Sequence, residues 1–526
     1  MLRFLLSILC LAVSTISFAQ NDLNADIKKL NLFLKSLDER YVDSLETAPL
    51  VEKGIKTMLE ELDPHSVYFN PEQYKRATEP LAGKFKGIGI RYRVIDDTLT
   101  IVEVLEDSPA EKGQLRIGDQ LIAIGTDTLS GKAISSKKMS TIIKAERNTD
   151  QPFLVNRFGE TLSPVLGRSN VSVASVPTYY MIDKEVAYLK LNRFSSTSVS
   201  EVKTALDELN KSGMKKLIFD LRGNSGGYLN AAIKIVDEFL EDRRLIVYTE
   251  GTHQSKRETY ANSGGRFTQG DLVVLIDERS ASASEIVAGA IQDWDRGLIV
   301  GRRSYGKGLV QRTIEYDDGS AMRLTISRYY TPTGRSIQKP YDDGLKAYKS
   351  DLKQRRLSGE LLSSDSIKVN DSLVYFTPNK RKVYGGGGII PDVFIAADTT
   401  QKNEFISALR KKGMHYLFAL RYQHQNENDL REKYPTVYEY TENFSLQRED
   451  LQKLRSLVEH RGDTVSDEAF ESSISIIQPQ IEGLIARYVY GYQEHFQRLS
   501  KNDKAIQKAI AVLHDDTFGE LGLNQQ

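Results

Sequence analysis

A single cysteine occurs in 526 residues, and it is Cys10. It stands in an opening stretch, Met1 to Ala19, with one early charge (Arg3), an apolar centre from Phe4 to Val13 and a small-residue end at Ser17-Phe18-Ala19. That is the plan of a secretory signal peptide cleaved after Ala19. The expected mature chain has no thiol, which excludes cysteine-nucleophile chemistry, CxxC redox chemistry and disulfides. An uncleaved N-terminal anchor is the alternative, with an apolar run slightly short for a span. No other stretch is long and apolar enough to cross a membrane, so an exported, soluble protein, periplasmic or extracellular, is expected. The chain also lacks net charge, with 71 Lys and Arg against 71 Asp and Glu, and its basic runs are as short as Lys380-Arg381-Lys382. No nucleic acid partner is expected on that balance. There is no HExxH and no clustered Cys/His set, so neither a metal nor another cofactor is expected.

What is present changes character along the chain. Leu30, Phe33, Leu34, Leu37 and Tyr41 recur at helical spacing, and Val51 to Leu62 repeats the pattern, as a helical cap or dimerisation arm would. From Lys86-Gly87-Ile88-Gly89-Ile90 a β-rich unit runs through Leu99–Leu105 (LTIVEVL) and Leu121–Ile124. From Val171 strands and helices alternate: Glu185–Leu191 and Lys216–Leu221 read as strands, Ser200–Leu209 and Leu229–Leu240 as helices. This predicts an α/β core. Residues 341–380 are polar and charged and read as a mixed helix–loop insertion on the surface. Residues 401–515 are mostly helical by pattern, notably Ser472–Tyr492 and Leu499–Val512. The expected layout is a signal peptide at 1–19, a helical N-terminal region at 20–83, a β domain at 84–168, an α/β core at 169–398 and a helical C-terminal domain at 399–526.

The chemistry concentrates between Ser280 and Gln311, SASASEIVAGAIQDWDRGLIVGRRSYGKGLVQ. An apolar strand, Leu272–Ile276, leads into small residues and then a helix from Glu285 to Trp294. Ser282 with Glu285 three places on fits a capping box, which puts Ser282 at the helix mouth. Lys307 stands in a glycine-flanked turn. A lysine acts as a base only when neutral, which requires burial to lower its pKa. In that role it takes the proton of Ser282. Gln311, four residues on, shares the lysine's face if the segment is extended. The Ala283 amide, at the positive helix end, can receive an oxyanion.

These residues resemble the active-site signature of the carboxyl-terminal processing peptidases, or tail-specific proteases. The resemblance implies Ser282 as nucleophile, Lys307 as general base and Gln311 as third member, with Tyr305 where phenylalanine is usual. It extends to Leu62-Asp63-Pro64-His65-Ser66 and to a PDZ-like unit over 84–168, where Gly87, Ile88, Gly89 and Ile90 form the peptide-binding loop. There a strand edge accepts an extended chain. The run Asp220-Leu221-Arg222-Gly223-Asn224-Ser225-Gly226-Gly227 resembles the family's oxyanion segment. By that match Gly227 joins Ala283 as an oxyanion donor. Tyr329 to Gln338 and Gly387 to Asp392 also match, and the core is implied to be crotonase/Clp-protease-like. The implied activity is that of a serine endopeptidase acting on protein or peptide substrates, C-terminal tails and unfolded chains. A homodimer and an adaptor protein are further candidate partners.

Other readings compete. Gly223 to Gly227 satisfies G-x-S-x-G between a strand and a helix, which makes Ser225 a rival nucleophile. Gly301 to Lys307 fits most of a phosphate-binding P-loop, but Gly308 replaces the Ser or Thr and a β-like run follows. His65 lies among turn residues and reads as structural. A non-catalytic PDZ scaffold and a thioester-processing relative of the crotonase fold are the alternatives from other classes.

Overall fold

The apolar runs lie side by side. In a computed structural model, Thr178–Met181, Val186–Lys190, Lys216–Asp220, Asp271–Ile276, Leu298–Gly301 and Val393–Phe394 form one six-stranded sheet in that order. The first pair is antiparallel and the remaining four are parallel. The structure describes residues 23–523 apart from 132–134, 145–148, 263 and 399–402, and the expected signal peptide lies outside the described residues. Among the described residues no helix is long and apolar enough to cross a membrane.

Two compact units are present. The first comprises residues up to Glu72 together with Gln311–Thr325. It contains the helix Thr47–Glu60 and the strand Val67–Phe69, which pairs antiparallel with residues 321–323. Asp63 organises the turn between them. Its carboxylate accepts the N–H groups of His65 (2.8 Å) and Ser66 (2.9 Å) and the Ser66 hydroxyl (2.5 Å). His65 thus sits in an Asx-type turn, as its neighbours suggest.

The second unit holds the sheet. Period-two alternation sends Ala187, Leu189, Leu217, Phe219, Leu272 and Val274 into one apolar cluster and Val186, Tyr188, Ile218, Val273 and Leu275 into another. Both faces of a parallel sheet must be covered, and here they are. Helices Ser198–Lys211, Leu229–Val236 and Ala283–Asp293 cover the first. The second is covered by Lys504–His514, whose Ile506, Ala509, Val512 and Leu513 share a face. The far end of the tail is therefore part of the core.

The β-rich segment forms a seven-stranded sheet with its own cluster of Leu99, Ile101, Leu121, Phe153 and Val155. The remaining tail is a helical domain built on Phe405, Tyr440, Leu454, Phe470, Ile481 and Ile485. It packs against the β-rich unit. Ile95 enters its core, Phe158 stacks on His424 with ring centroids 3.7 Å apart, and Arg487 pairs with Glu103. The helix expected through Tyr492 ends at Val489, because Gly491 adopts φ 141°. A new helix runs from Tyr492 to Ser500.

The polar insertion is mixed as expected, but it is not confined to the surface. It forms a helix, Gly344–Leu357, and a short hairpin of Val374–Phe376 with Lys382–Tyr384. Tyr348, Arg355 and Glu360 within it are buried.

Candidate active site

The strand Asp271–Ile276 ends in a turn built by Asp277, whose Oδ1 accepts the N–H groups of Gly223 (2.9 Å), Arg279 (3.0 Å) and Ser280 (3.1 Å). The chain then enters the helix Ala283–Asp293 through Ser282, which adopts φ 56° and ψ −111°. A non-glycine residue in that region is strained, and strain of this kind is retained where the surroundings over-determine it. They do so here. The Ser282 N–H donates to Glu285 (2.7 Å), and its carbonyl accepts the N–H groups of Glu285 (2.8 Å) and Ile286 (3.0 Å).

Glu285 does more than cap. Its Oε1 accepts the Ser304 hydroxyl (2.5 Å) and the Gly306 N–H (2.6 Å), and its Oε2 accepts the N–H groups of Ser282 (2.7 Å) and Lys307 (2.9 Å). An ionised carboxylate offers about four lone-pair sites, and four donors fill them. Burial pushes the Glu285 carboxyl above its usual range, against the pull of those hydrogen bonds. One fully buried side chain therefore ties the backbone of Ser282 to that of Lys307.

Tyr329 ties the same two residues from their carbonyl side. Its hydroxyl lies 2.6 Å from the Lys307 carbonyl and 3.1 Å from that of Ser282. Burial first, and Glu285 second, raise this phenol far above its ordinary value, so it stays a donor. The rest of the lysine loop is equally committed. The Tyr305 N–H donates to the Ser280 carbonyl (3.0 Å), the Gly308 N–H to Gln338 Oε1 (2.8 Å) and the Ser304 N–H to the Ile389 carbonyl (3.0 Å). The chain continues into a strand, Leu309–Glu315, and not a helix, which disposes of the P-loop reading.

The glycine loop closes on this turn. A Cβ at Gly226 would lie 2.9 Å from the Ser282 Cβ and 3.1 Å from the Ala283 nitrogen, and one at Gly227 would lie 2.1 Å from the Phe194 carbonyl oxygen. Only glycine fits both places, and φ of 101° and 150° adds the second reason. Gly226 donates to its own loop, to Asn224 Oδ1 (2.9 Å). Among the described residues the N–H groups of Gly227 and Ala283 make no hydrogen bond. Ser225 is exposed, and the helix after it begins only at Leu229, so it does not stand at the strand-to-helix turn that Ser282 occupies.

Gln311 falls in the first unit, where its amide lies 3.5 Å from Thr325 Oγ1. Thr325 in turn donates to Asp63 (3.0 Å) and, through its N–H, to Ser66 (3.1 Å). In the β-rich unit the Ile88 carbonyl accepts the Ala110 N–H (2.8 Å) and that of Gly89 accepts the Leu105 N–H (2.9 Å). Gly87 closes the strand Lys84–Gly87, and Ile90 opens the strand Ile90–Ile95. That strand pairs on one side only among the described residues, with Thr98–Val104.

Comparison with known proteins identifies the family. The profile of peptidase family S41 matches residues 185–346, which span the glycine loop, the serine turn and the lysine loop. The carboxy-terminal-processing protease of Bartonella bacilliformis is 31% identical over 400 residues, covering 72% of this chain and 87% of that protein. The chain belongs to peptidase family S41. It is a serine-type peptidase. A second relative, the carboxy-terminal processing protease CtpA of Bacillus subtilis, is 31% identical over 341 residues, covering 61% of this chain and 72% of that protein. Among solved structures, a photosystem II D1 C-terminal processing protease aligns at 24% identity and a TM-score of 0.37, covering 69% of this chain and 86% of that one. Residues 405–491, in the helical domain, match a family of unknown function.

Tyr329, Ser304 and Gln338 escape a reading of the sequence. Tyr329 and Gln338 lie inside the matched run from Tyr329 to Gln338, but nothing local assigns them a task.

Proposed function

We propose that this S41 peptidase is an exported, carboxy-terminal processing endopeptidase with a Ser282–Lys307 catalytic pair. The observation that carries the reading is the shared carboxylate of Glu285, which fixes the main chain of both residues at once. The Ser282 hydroxyl attacks the peptide carbonyl while Lys307 takes its proton, and Lys307 returns that proton to the leaving amine. Water then hydrolyses the ester by the same relay. The N–H groups of Gly227 and Ala283 receive the oxyanion, each worth roughly 3 kcal/mol in comparable sites. Gln311 is assigned to holding the lysine amine by its position in the motif.

In this reading residues 84–168 are a PDZ domain that captures a substrate C-terminus along the edge of Ile90–Ile95 left unpaired among the described residues, with Gly87 to Ile90 at its carboxylate end. The core at 169–398 is of the crotonase/Clp-protease type. The leader at 1–19 exports the chain to the periplasm or beyond, and the apolar residues of the N-terminal helices suit a homodimer arm.

The test is hydrolysis of an unstructured protein such as casein by the mature chain, beside Ser282→Ala and Ser225→Ala. Loss in Ser282→Ala alone is expected. Loss in Ser225→Ala alone moves the nucleophile to the glycine loop.

A further inference from the structure

We propose that Arg355, in the insertion at 341–380, is a positioning residue for the loop that carries Lys307. The proposal rests on the reading of Lys307 as general base. Tyr348, Asp351 and Arg355 recur at intervals of three and four along the helix Gly344–Leu357, so they share one face. That face is turned to the loop. The Tyr348 ring stands edge-on to Tyr305, with centroids 6.1 Å apart. The Lys339 ammonium lies over both rings, at 3.9 and 4.3 Å, and pairs with Asp351 at 3.0 Å.

Arg355 makes the decisive contacts. It is 4% exposed, and its guanidinium donates to the main-chain carbonyls of Arg303 (2.6 Å) and Ser304 (3.0 Å) and to Glu360 (2.7 Å). Glu360 also takes Arg303 in a bidentate pair, at 2.7 and 2.6 Å. A buried arginine and a half-buried one thus share one carboxylate. Burying the surplus charge is unfavourable unless fixed dipoles offset it, and the two loop carbonyls supply them. The Ser304 residue held by its carbonyl is the one whose hydroxyl donates to Glu285. Glu285 in turn receives the N–H groups of Gly306, Lys307 and Ser282. The chain of contact runs from Arg355 through Ser304 and Glu285 to both members of the catalytic pair. A planar guanidinium can serve three fixed acceptors at once, whereas an ammonium is a compact point charge on a flexible stem.

The experiment measures kcat and KM on an unstructured peptide for Arg355→Met, Arg355→Lys and Lys307→Ala, with thermal melts to verify folding. Arg355→Met leaves Glu360 paired with Arg303, so it is expected to fold. Its kcat should fall roughly ten- to a hundredfold with KM within about twofold, since small misplacement of a reacting group costs on that order. Added methylguanidinium should recover part of the loss, and Arg355→Lys should lie between. A folded Arg355→Met or Arg355→Lys enzyme with wild-type kcat overturns the proposal, and so does a loss in folded Arg355→Met that methylguanidinium leaves untouched. If Arg355→Met fails to fold, Arg355→Lys decides by the same criterion. Full turnover by Lys307→Ala would sink the base assignment itself. An inactive Lys307→Ala beside a fully active Arg355→Met would sink the positioning role alone.

Discussion

The main-chain N–H groups of Ser282 and Lys307, 25 positions apart in the sequence, donate to the same oxygen of Glu285, at 2.7 and 2.9 Å. The spacing of the proposed nucleophile and base is therefore set by the backbone and by one buried carboxylate. Replacing Glu285 by glutamine keeps the shape but turns one acceptor into a donor that faces other donors. Such a change should destabilise the fold by about 3 kcal/mol and lower turnover at least tenfold. Urea midpoints at constant m-value and casein turnover check the two effects separately.

Tyr329→Phe is the milder cut. It deletes one hydroxyl between the Lys307 and Ser282 carbonyls and leaves the ring in place. The expected cost is about 1 kcal/mol of stability, with kcat reduced and KM unchanged. A variant with wild-type kcat would mean that the carbonyl side of the pair needs no anchor.

Two glycines of one loop should behave differently. Gly227→Ala drives a Cβ to 2.1 Å from the Phe194 carbonyl and displaces a candidate oxyanion donor. Loss of one such donor costs on the order of 10²–10³ in kcat. Gly223→Ala meets nothing within 4 Å, although its φ of 74° adds modest strain. Steady-state kinetics should show most activity retained at 223 and little at 227.

Acid should loosen the helical C-terminal domain. Burial holds the imidazoles of His415 and His495 down at about 4. The unfolded chain titrates near 6.5, so between those values it binds protons the folded state refuses. Stability from this source is complete above about pH 6.5 and is lost as pH falls toward 4. Between pH 7.5 and 5.0 the loss is about 2 kcal/mol per histidine. Urea midpoints at the two pH values should differ accordingly, and the double variant His415→Gln, His495→Gln should flatten the difference.

What the sequence could reveal depended on range. Unbroken apolar runs such as LVVLI marked strands buried on both faces, and Ser282 with Glu285 three places on marked the helix mouth, because both signals are local. The anchors of the site are not local. Tyr329 reaches back 47 residues to Ser282, and Arg355 reaches back 51 to Ser304. The insertion read as a solvated surface because it is rich in charge. A charged side chain is buried, however, when paired and hydrogen-bonded, as Arg355 and Glu360 are. Gly491 stopped a helix whose apolar pattern runs on to Tyr492, since periodicity does not register a φ of 141°.

The most direct test of the Ser282–Lys307 assignment is labelling of the mature chain with a serine-reactive fluorophosphonate, followed by peptide mass spectrometry, in wild type and Lys307→Ala. One adduct is expected, on Ser282, formed far more slowly without the lysine. An adduct on Ser225, or labelling of Ser282 at the wild-type rate in Lys307→Ala, would contradict it.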